Sequence, residues 1–269
     1  MKVAGKFLFL GTGGSMGVPI VGCDCAVCRS DSLYNKRLRP SALLKIDNKQ
    51  ILVDCGPDFR AQMLREHIKH LDGLIFTHAH YDHTGAFDEI RIFNARSKQA
   101  LPCLLSEATA QDLKMRFPYI FDASAPMSKL TTRVSLQYLE SSRGFVHFLD
   151  IPIRYMTYEQ GGMLVNGFRF GNMAYISDIR HYPETIFEDL DGVETLVISS
   201  LRHQPSALHF NIEEAVAFAA KVGVNQAWFT HIAHELEHDL TNSKLPPNYQ
   251  LAYDGLEIDF EVSLHPKKS

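Results

Sequence analysis

The chain has 269 residues, 45% of them hydrophobic and 22% charged, which excludes a disordered, collagen-like or disulfide-dense polypeptide. Its 27 Lys and Arg against 31 Asp and Glu leave a formal charge of −4. That balance disfavours wrapping a long nucleic acid, because phosphate neutralisation needs a basic face. Two counts are unusual: thirteen histidines, several of them clustered, and five cysteines, three of them within six positions. An odd number of thiols and a first strand without a basic leader predict a reducing, cytoplasmic setting. No run approaches the ~20 apolar residues of a membrane span.

Residues 6–10 read as a buried strand ended by Gly11-Thr12-Gly13-Gly14. A polar loop with the cysteines follows, so the glycines do not lead into the helix that a dinucleotide site needs. Arg37 and Arg39 read as part of a solvated basic stretch. Residues 41–46 and 50–53 form a predicted hairpin across Asp47-Asn48. Asp54-Cys55-Gly56-Pro57-Asp58 breaks the pattern, and 59–67 has helical spacing with Phe59, Met63 and Leu64 inward. A short strand at 74–76 delivers Thr77-His78-Ala79-His80-Tyr81-Asp82-His83.

Helix, strand and helix are predicted at 87–95, 102–105 and 107–115; 117–137 reads as an inserted loop near a substrate. The pattern is β-rich over 145–176. A helix at 184–190, a strand at 195–199, a helix at 212–222 capped by Asn211 and a strand at 227–229 follow. Strands at 250–253 and 257–261 close the chain before a basic tail. Strands alternating with helices, with no linker or repeat, predict one α/β domain over residues 1–269.

His78-x-His80-x-Asp82-His83 places four ligand-type side chains within six residues. Imidazole and carboxylate donors suit zinc, manganese or iron, and in a tight loop they can converge. Asp178 lies just past the apolar run Ala174-Tyr175-Ile176, and His231 ends Phe229-Thr230. Cys23-x-Cys25-x2-Cys28 offers three soft ligands in one loop, and His234 offers a fourth that would close a tetrahedron. In that arrangement the strand ends at His231, a helix begins there, and the two histidines serve different ions. Cys55 and Cys103 read as core thiols.

The histidine cluster resembles the metal-binding signature of the metallo-β-lactamase superfamily, hydrolases built as a four-layer αββα sandwich. The resemblance implies that His78 and His80 hold one ion, Asp82, His83 and His231 a second, and that Asp178 bridges them. The family usually has another histidine on the first ion, upstream of the bridging aspartate. Here that position falls near Glu159-Gln160-Gly161. His147 comes too early, so the first site is weak, uses Gln160 or Glu159, or is absent.

The cysteine loop is similar to that of the cyclic-phosphate phosphodiesterase branch, as are Leu10-Gly11-Thr12-Gly13-Gly14-Ser15, Val18-Pro19-Ile20-Val21-Gly22-Cys23, Asp54-Cys55-Gly56-Pro57-Asp58-Phe59-Arg60 and Tyr253-Asp254-Gly255-Leu256-Glu257. In that branch Cys23, Cys25, Cys28 and His234 would hold a structural zinc. Zn2+ or Mn2+ would serve the catalytic site, with Asp82 and His209 in catalytic roles. His209, just before the 212–222 helix, would protonate the leaving oxygen; His203 is a poorer candidate. Arg60 and Arg180 are candidate phosphate clamps, with exposed ion pairing as the plainer role for each. His67, His70, His181, His238 and His265 read as surface or packing residues.

The implied activity is metal-dependent hydrolysis of a small, cyclic phosphodiester. The alternatives are a tRNA 3′-end endonuclease, an ester, thioester or lactone hydrolase of the same fold, and a catalytically degenerate zinc-stabilised binding module. A nucleic-acid partner and a membrane are not expected, and a homodimer is compatible with the chain.

Overall fold

Alternation along the first strand, β1 (Lys2–Gly11), sends Phe7 and Phe9 to one face and Leu8 and Leu10 to the other. Both faces are therefore buried, which requires cover on each side. The same holds for β2 (Ser41–Ile46) and β3 (Lys49–Val53), where Leu43 and Leu52 oppose Leu44 and Val53. The computed structural model describes residues 1–122 and 131–264. It adds β4 (Gly73–Ile75), β5 (Leu101–Ser106), β6 (Val134–Leu139), β7 (Arg143–Phe148), β8 (Ile151–Gln160) and β9 (Met163–Phe170). The last strands are β10 (Met173–Ile176), β11 (Thr195–Ser199), β12 (Gln226–Thr230), β13 (Tyr249–Leu251) and β14 (Glu257–Ser263).

The strands form two seven-stranded sheets, ordered β14-β1-β2-β3-β4-β5-β6 and β13-β12-β11-β10-β9-β8-β7. Between them, Phe7, Phe9, Leu44 and Val53 meet Tyr155, Phe168 and Phe170. On the outer face of the first sheet, Leu8, Leu43 and Leu52 pack on Phe59 and Met63 of helix Phe59–Arg65 and Leu113 of helix Glu107–Arg116. On the other side Ile176, Ile198 and Phe229 pack on Ile186 and on Ala215 and Phe218 of helix Ile212–Val222. The order is helix, sheet, sheet, helix, the αββα sandwich that the family resemblance implies.

Strands β3, β4 and β5 run parallel, as do β10, β11 and β12. Their carboxyl ends carry the chemistry: Asp54 follows β3, Thr77 and His78 follow β4, Asp178 follows β10 and His231 follows β12. Loops at carboxyl ends of parallel strands are the usual place for ligands in open α/β sheets.

Several expectations change. The helix predicted at 87–95 is a 3-10 turn, Phe87–Ile90, running into helix Arg91–Ser97. The helix predicted at 184–190 shortens to Ile186–Asp189. Leu64 faces solvent rather than the core. The segment read as an inserted loop contains helix Pro118–Phe121 and all but the last two residues of β6, which pairs with β5; residues 123–130 and His265 lie outside the described residues. No helix begins at His231; the next is His238–Asn242.

Arg37 is the largest correction. It is 3% exposed, not solvated. Its guanidinium donates to Thr12 Oγ1 at 2.8 Å and to the Ala252 carbonyl at 2.5 Å, with His238 Nδ1 at 3.1 Å. Asp254 takes the Thr12 and Leu38 amides, each at 2.8 Å. This buried knot pins the segment after β1 to the segment before β14. Burial lowers the Arg37 pKa to about 10, opposed by Asp254 and Glu237.

Candidate metal centres

The first centre forms where the loop after β1 meets the segment after β12. Gly13 bridges Ile232, the Gly14 amide donates to the Ile232 carbonyl at 3.0 Å, and the Ile232 amide donates to the Thr12 carbonyl at 2.8 Å. This places Cys23, Cys25 and Cys28 around His234, with sulfur atoms 3.3, 3.4 and 3.3 Å from its Nδ1. A tetrahedral zinc with ~2.3 Å bonds to sulfur and ~2.0 Å to nitrogen needs S···N edges of roughly 3.5 Å, so the four donors fit that ion. The short helix Ala26–Arg29 supplies the geometry: the Cys28 amide donates to Cys25 Sγ at 3.4 Å and holds the Cys25 thiol down to about 7. Burial pushes Cys28 up to about 11. Cys55 and Cys103 are fully buried, as core thiols are.

The second centre gathers side chains from four strand ends. Asp178 lies at its middle. Its Oδ2 is 3.2 Å from His78 Nε2 and 2.9 Å from His83 Nε2; its Oδ1 is 3.1 Å from His231 Nε2 and 3.5 Å from His209 Nδ1. Asp82 Oδ2 lies 3.5 Å from His83 Nε2 and 3.4 Å from His231 Nε2. His78 Nε2 and His80 Nδ1 are 2.9 Å apart. All six ligands expected for the catalytic ions therefore converge, in two sets: His78, His80 and Asp178, and Asp82, His83 and His231. Asp82 and His83 do so from one helical turn, Tyr81–Thr84, rather than from a loop.

Asp54, quoted in the sequence reading as part of a family motif but given no role, organises the histidines. It accepts from the Thr77 amide and the Thr77 hydroxyl, both at 2.8 Å, and from His83 Nδ1 at 2.7 Å. The Thr77 oxygen in turn lies 2.9 Å from His78 Nδ1. The Nδ1–H of each ring is thereby occupied, which leaves Nε2 as the free lone pair on the cluster side. His83 Nε2 and Asp178 Oδ1 are buried and have no hydrogen-bond partner among the described residues. Orphaned lone pairs of both kinds, beside a fully buried carboxylate, are what a divalent cation satisfies. The N···O spacings of 2.9–3.5 Å match ligand edges of roughly 3.0–3.4 Å around an ion at ~2.1 Å.

The electrostatics agree. Burial alone would raise the Asp82 and Asp178 carboxyls, but His83 and His231 hold both well below the usual carboxylate range. Burial would lower His83; Asp82, Asp178 and Asp54 push it well above its ordinary value. His231 is also raised, by Asp178 and Asp82 against burial. His78 falls to about 4 through burial and the neighbouring His83. A bound cation would take over the role of the protons on His83 and His231.

Left-handed backbone occurs at three of these strand ends. Asp54, Asp178 and His231 have φ of 61°, 52° and 59°, a left-handed conformation that non-glycine residues rarely adopt. Each turns the chain sharply at a strand end. Gly56 permits the approach of the Asp54 turn to the histidine loop, since a Cβ there would lie 2.0 Å from the Asp82 carbonyl oxygen.

The second centre opens into a cavity of about 340 Å³ lined by Ser15, Tyr81, Gln160, Leu208 and His209 together with the ligands. His209 stacks on His231 at 4.9 Å, with 15% of its side chain exposed. No Lys or Arg is among the described residues that line it. Arg60 lines a different cavity, and Arg180 pairs with Glu214 at 2.7 Å, so neither proposed clamp faces this space. His203 and His147 are exposed, and His147 lies on edge strand β7. His238 is buried in the Arg37 knot. Asp54 was findable only through the β3–β4 register, in which Val53 pairs with Ile75.

Comparison with known proteins gives one superfamily and fold but several named activities. The β-lactamase superfamily domain matches residues 49–232. A crystal structure described as a new diphosphatase from the PhnP family is 36% identical, with 98% of this chain and 100% of that chain covered and a TM-score of 0.90. Zn2+-bound PqqB from Methylobacterium extorquens shares the fold at 15% identity, with 95% and 100% covered and a TM-score of 0.75. The short form of human tRNase Z does so at 14% identity, with 97% and 100% covered and a TM-score of 0.65. A curated Porphyromonas gingivalis protein named octanoyltransferase is 32% identical over 257 residues, 94% of this chain and 51% of that protein. The chain thus spans about half the length of this curated relative.

Proposed function

The chain belongs to the β-lactamase superfamily, and from that premise we propose that it is a metal-dependent phosphodiesterase acting on a small phosphodiester. The observation that carries the reading is Asp178, whose two oxygens face two separate sets of histidines on the floor of one cavity. Divalent ions held there by His78, His80, Asp82, His83, Asp178 and His231 would lower the pKa of a bound water toward ~7 and polarise the phosphoryl oxygens.

The remaining work falls to the protein. Asp54 and Thr77 fix the ring orientations of His83 and His78. Asp82 and Asp178, held ionised by His83 and His231, would orient the attacking water by accepting hydrogen bonds from it, and its proton would pass to solvent as the new P–O bond forms. His209 Nδ1 lies 3.5 Å from Asp178 Oδ1 and the ring lines the cavity, where it would protonate the departing oxygen. Cys23, Cys25, Cys28 and His234 would hold a closed structural zinc that clamps the 14–28 loop against the segment bearing His231. Gly14 contributes to that clamp through its amide, which donates to the Ile232 carbonyl at 3.0 Å.

A lining without Lys or Arg supports a small substrate of low charge over RNA. Five free thiols support a reducing setting. No helix among the described residues is long and apolar enough to cross a membrane. A second reading, cleavage of a phosphate–phosphate linkage, is favoured by the 36% identical relative described as a diphosphatase.

The test is turnover of the Zn2+- and Mn2+-reconstituted protein on four substrates: a small cyclic phosphodiester, bis(p-nitrophenyl) phosphate, a dinucleoside diphosphate and an octanoyl thioester. Cleavage of the first two is expected, with the dinucleoside diphosphate separating the two phosphoryl readings. Turnover of the thioester alone, or of nothing while the ions are bound, would overturn the proposal.

A further inference from the structure

The two halves of the His/Asp cluster are unequal. Asp82, His83 and His231 are all buried, and His83 is braced by Asp54. In the other half His78 is buried but His80 is only partly so, and Asp178 is shared with the first half. Facing the same cavity is Gln160, the last residue of β8, with 3% exposure. Its Nε2 lies 3.2 Å from Nδ1 and 3.0 Å from Nε2 of His209, while its Oε1 is buried without a hydrogen-bond partner among the described residues. A buried amide oxygen left unpaired is costly, and one on the wall of a metal centre has an obvious partner.

The neighbouring candidates do not compete. Strand alternation turns Glu159 outward, where its Oε1 accepts the Gly162 amide at 3.0 Å. His147 is exposed on edge strand β7. We propose that Gln160 Oε1 is the remaining protein ligand of the ion held by His78, His80 and Asp178. An uncharged amide oxygen is a harder and weaker donor than imidazole. The His78/His80 ion is therefore the exchangeable one of the pair, and it favours Mn2+ over Zn2+ more than its neighbour does. This inference rests on the two-ion reading of the cluster and concerns ion binding rather than turnover.

The experiment counts ions and resolves binding steps. Metal-free wild type, Gln160→Ala and Gln160→His are titrated with Mn2+ and with Zn2+ by calorimetry, and retained ions are counted after gel filtration. Wild type is expected to show a tight His/Asp step and a weaker one, besides the cysteine centre. Gln160→Ala weakens only the weaker Mn2+ step, by about tenfold or more, and Gln160→His tightens only the corresponding Zn2+ step by a similar factor. Retention of the cysteine-centre ion and an unchanged melting profile show that each variant is folded. Unchanged weaker steps in both variants would overturn the assignment, as would a Gln160 amide whose Oε1 accepts from His209 instead. Wild type that binds only at the cysteine centre would refute the two-ion reading itself, a result distinct from failure at Gln160.

Discussion

The cysteine loop and the His/Asp cluster are anchored on one segment, where His231 and His234 are three residues apart, yet they are built in opposite ways. The His/Asp cluster is assembled by strand ends, backed by Asp54 and Thr77, and its carboxylates and imidazoles neutralise one another. The cysteine loop has little of this. Its two ends are held by the Val18–Arg37 bridge and by Asn35 against Glu237 and His238, but around the cysteines its order rests on a four-residue helix and a few contacts to sulfur, such as Ile20 N to Cys28 Sγ at 3.3 Å. Three thiols in contact, one pushed up to about 11, cannot all ionise without a cation between them. The difference predicts that the His/Asp centre keeps its shape without its ion, while the cysteine loop depends on one to hold its order.

The largest effect expected from this contrast is at Asp178. Asp178→Ala removes the one carboxylate that touches His78, His83, His209 and His231. Steady-state kcat on the best substrate should fall on the order of a thousandfold or more. The cysteine-centre ion should remain at full occupancy. Turnover within tenfold of wild type would mean that the two histidine sets do not work through a shared carboxylate.

A smaller effect on turnover, but a larger one on order, is expected at Cys28. Cys28→Ser should release the structural ion and expose the 14–36 loop to limited proteolysis. The loop touches the catalytic segment through Gly13, Gly14 and Ile232, so kcat should drop roughly ten- to a hundredfold rather than vanish. A loop that stays protease-resistant without its ion would erase the distinction between the centres.

How much of this was legible in the sequence depends on the separation of the residues involved. His78, His80, Asp82 and His83 announce themselves because they are near neighbours in the chain. The helix Ile212–Val222 was read to the residue because both its ends are encoded locally: Asn211 and Glu214 form a reciprocal capping box, and Gly223 closes it with φ of 80°. Asp178 and His231 were legible as polar residues ending apolar runs. Arg37 was not, because its partners Thr12, His238 and Ala252 are brought to it by the fold and leave no periodicity around it. Asp54 is similar: its motif was visible, but its contact with His83 exists only once β3 and β4 pair. The helix expected at His231 failed because that residue takes a left-handed turn to deliver its ring to Asp82 and Asp178.

The smallest expected effect concerns pH, and it separates the preformed centre from the ion-formed one most directly. In the metal-free protein, burial opposes protonation of His83, but Asp82, Asp178 and Asp54 raise its pKa well above the ordinary value; His231 is raised in the same manner. A histidine whose folded pKa is raised stabilises the fold fully below its unfolded value of ~6.5. That contribution is lost as pH rises through the folded value, when three buried carboxylates lose their compensating charges. The metal-free protein should therefore melt at progressively lower temperature as pH is raised from about 6.5 into the alkaline range. With ions at the His/Asp cluster the sign reverses, because protons compete with the ions for the same imidazoles and loading improves as pH rises. Thermal melts of metal-free and Mn2+-loaded protein across that window check both slopes. Parallel slopes would show that the cluster holds its charge balance by some route other than protons on His83 and His231.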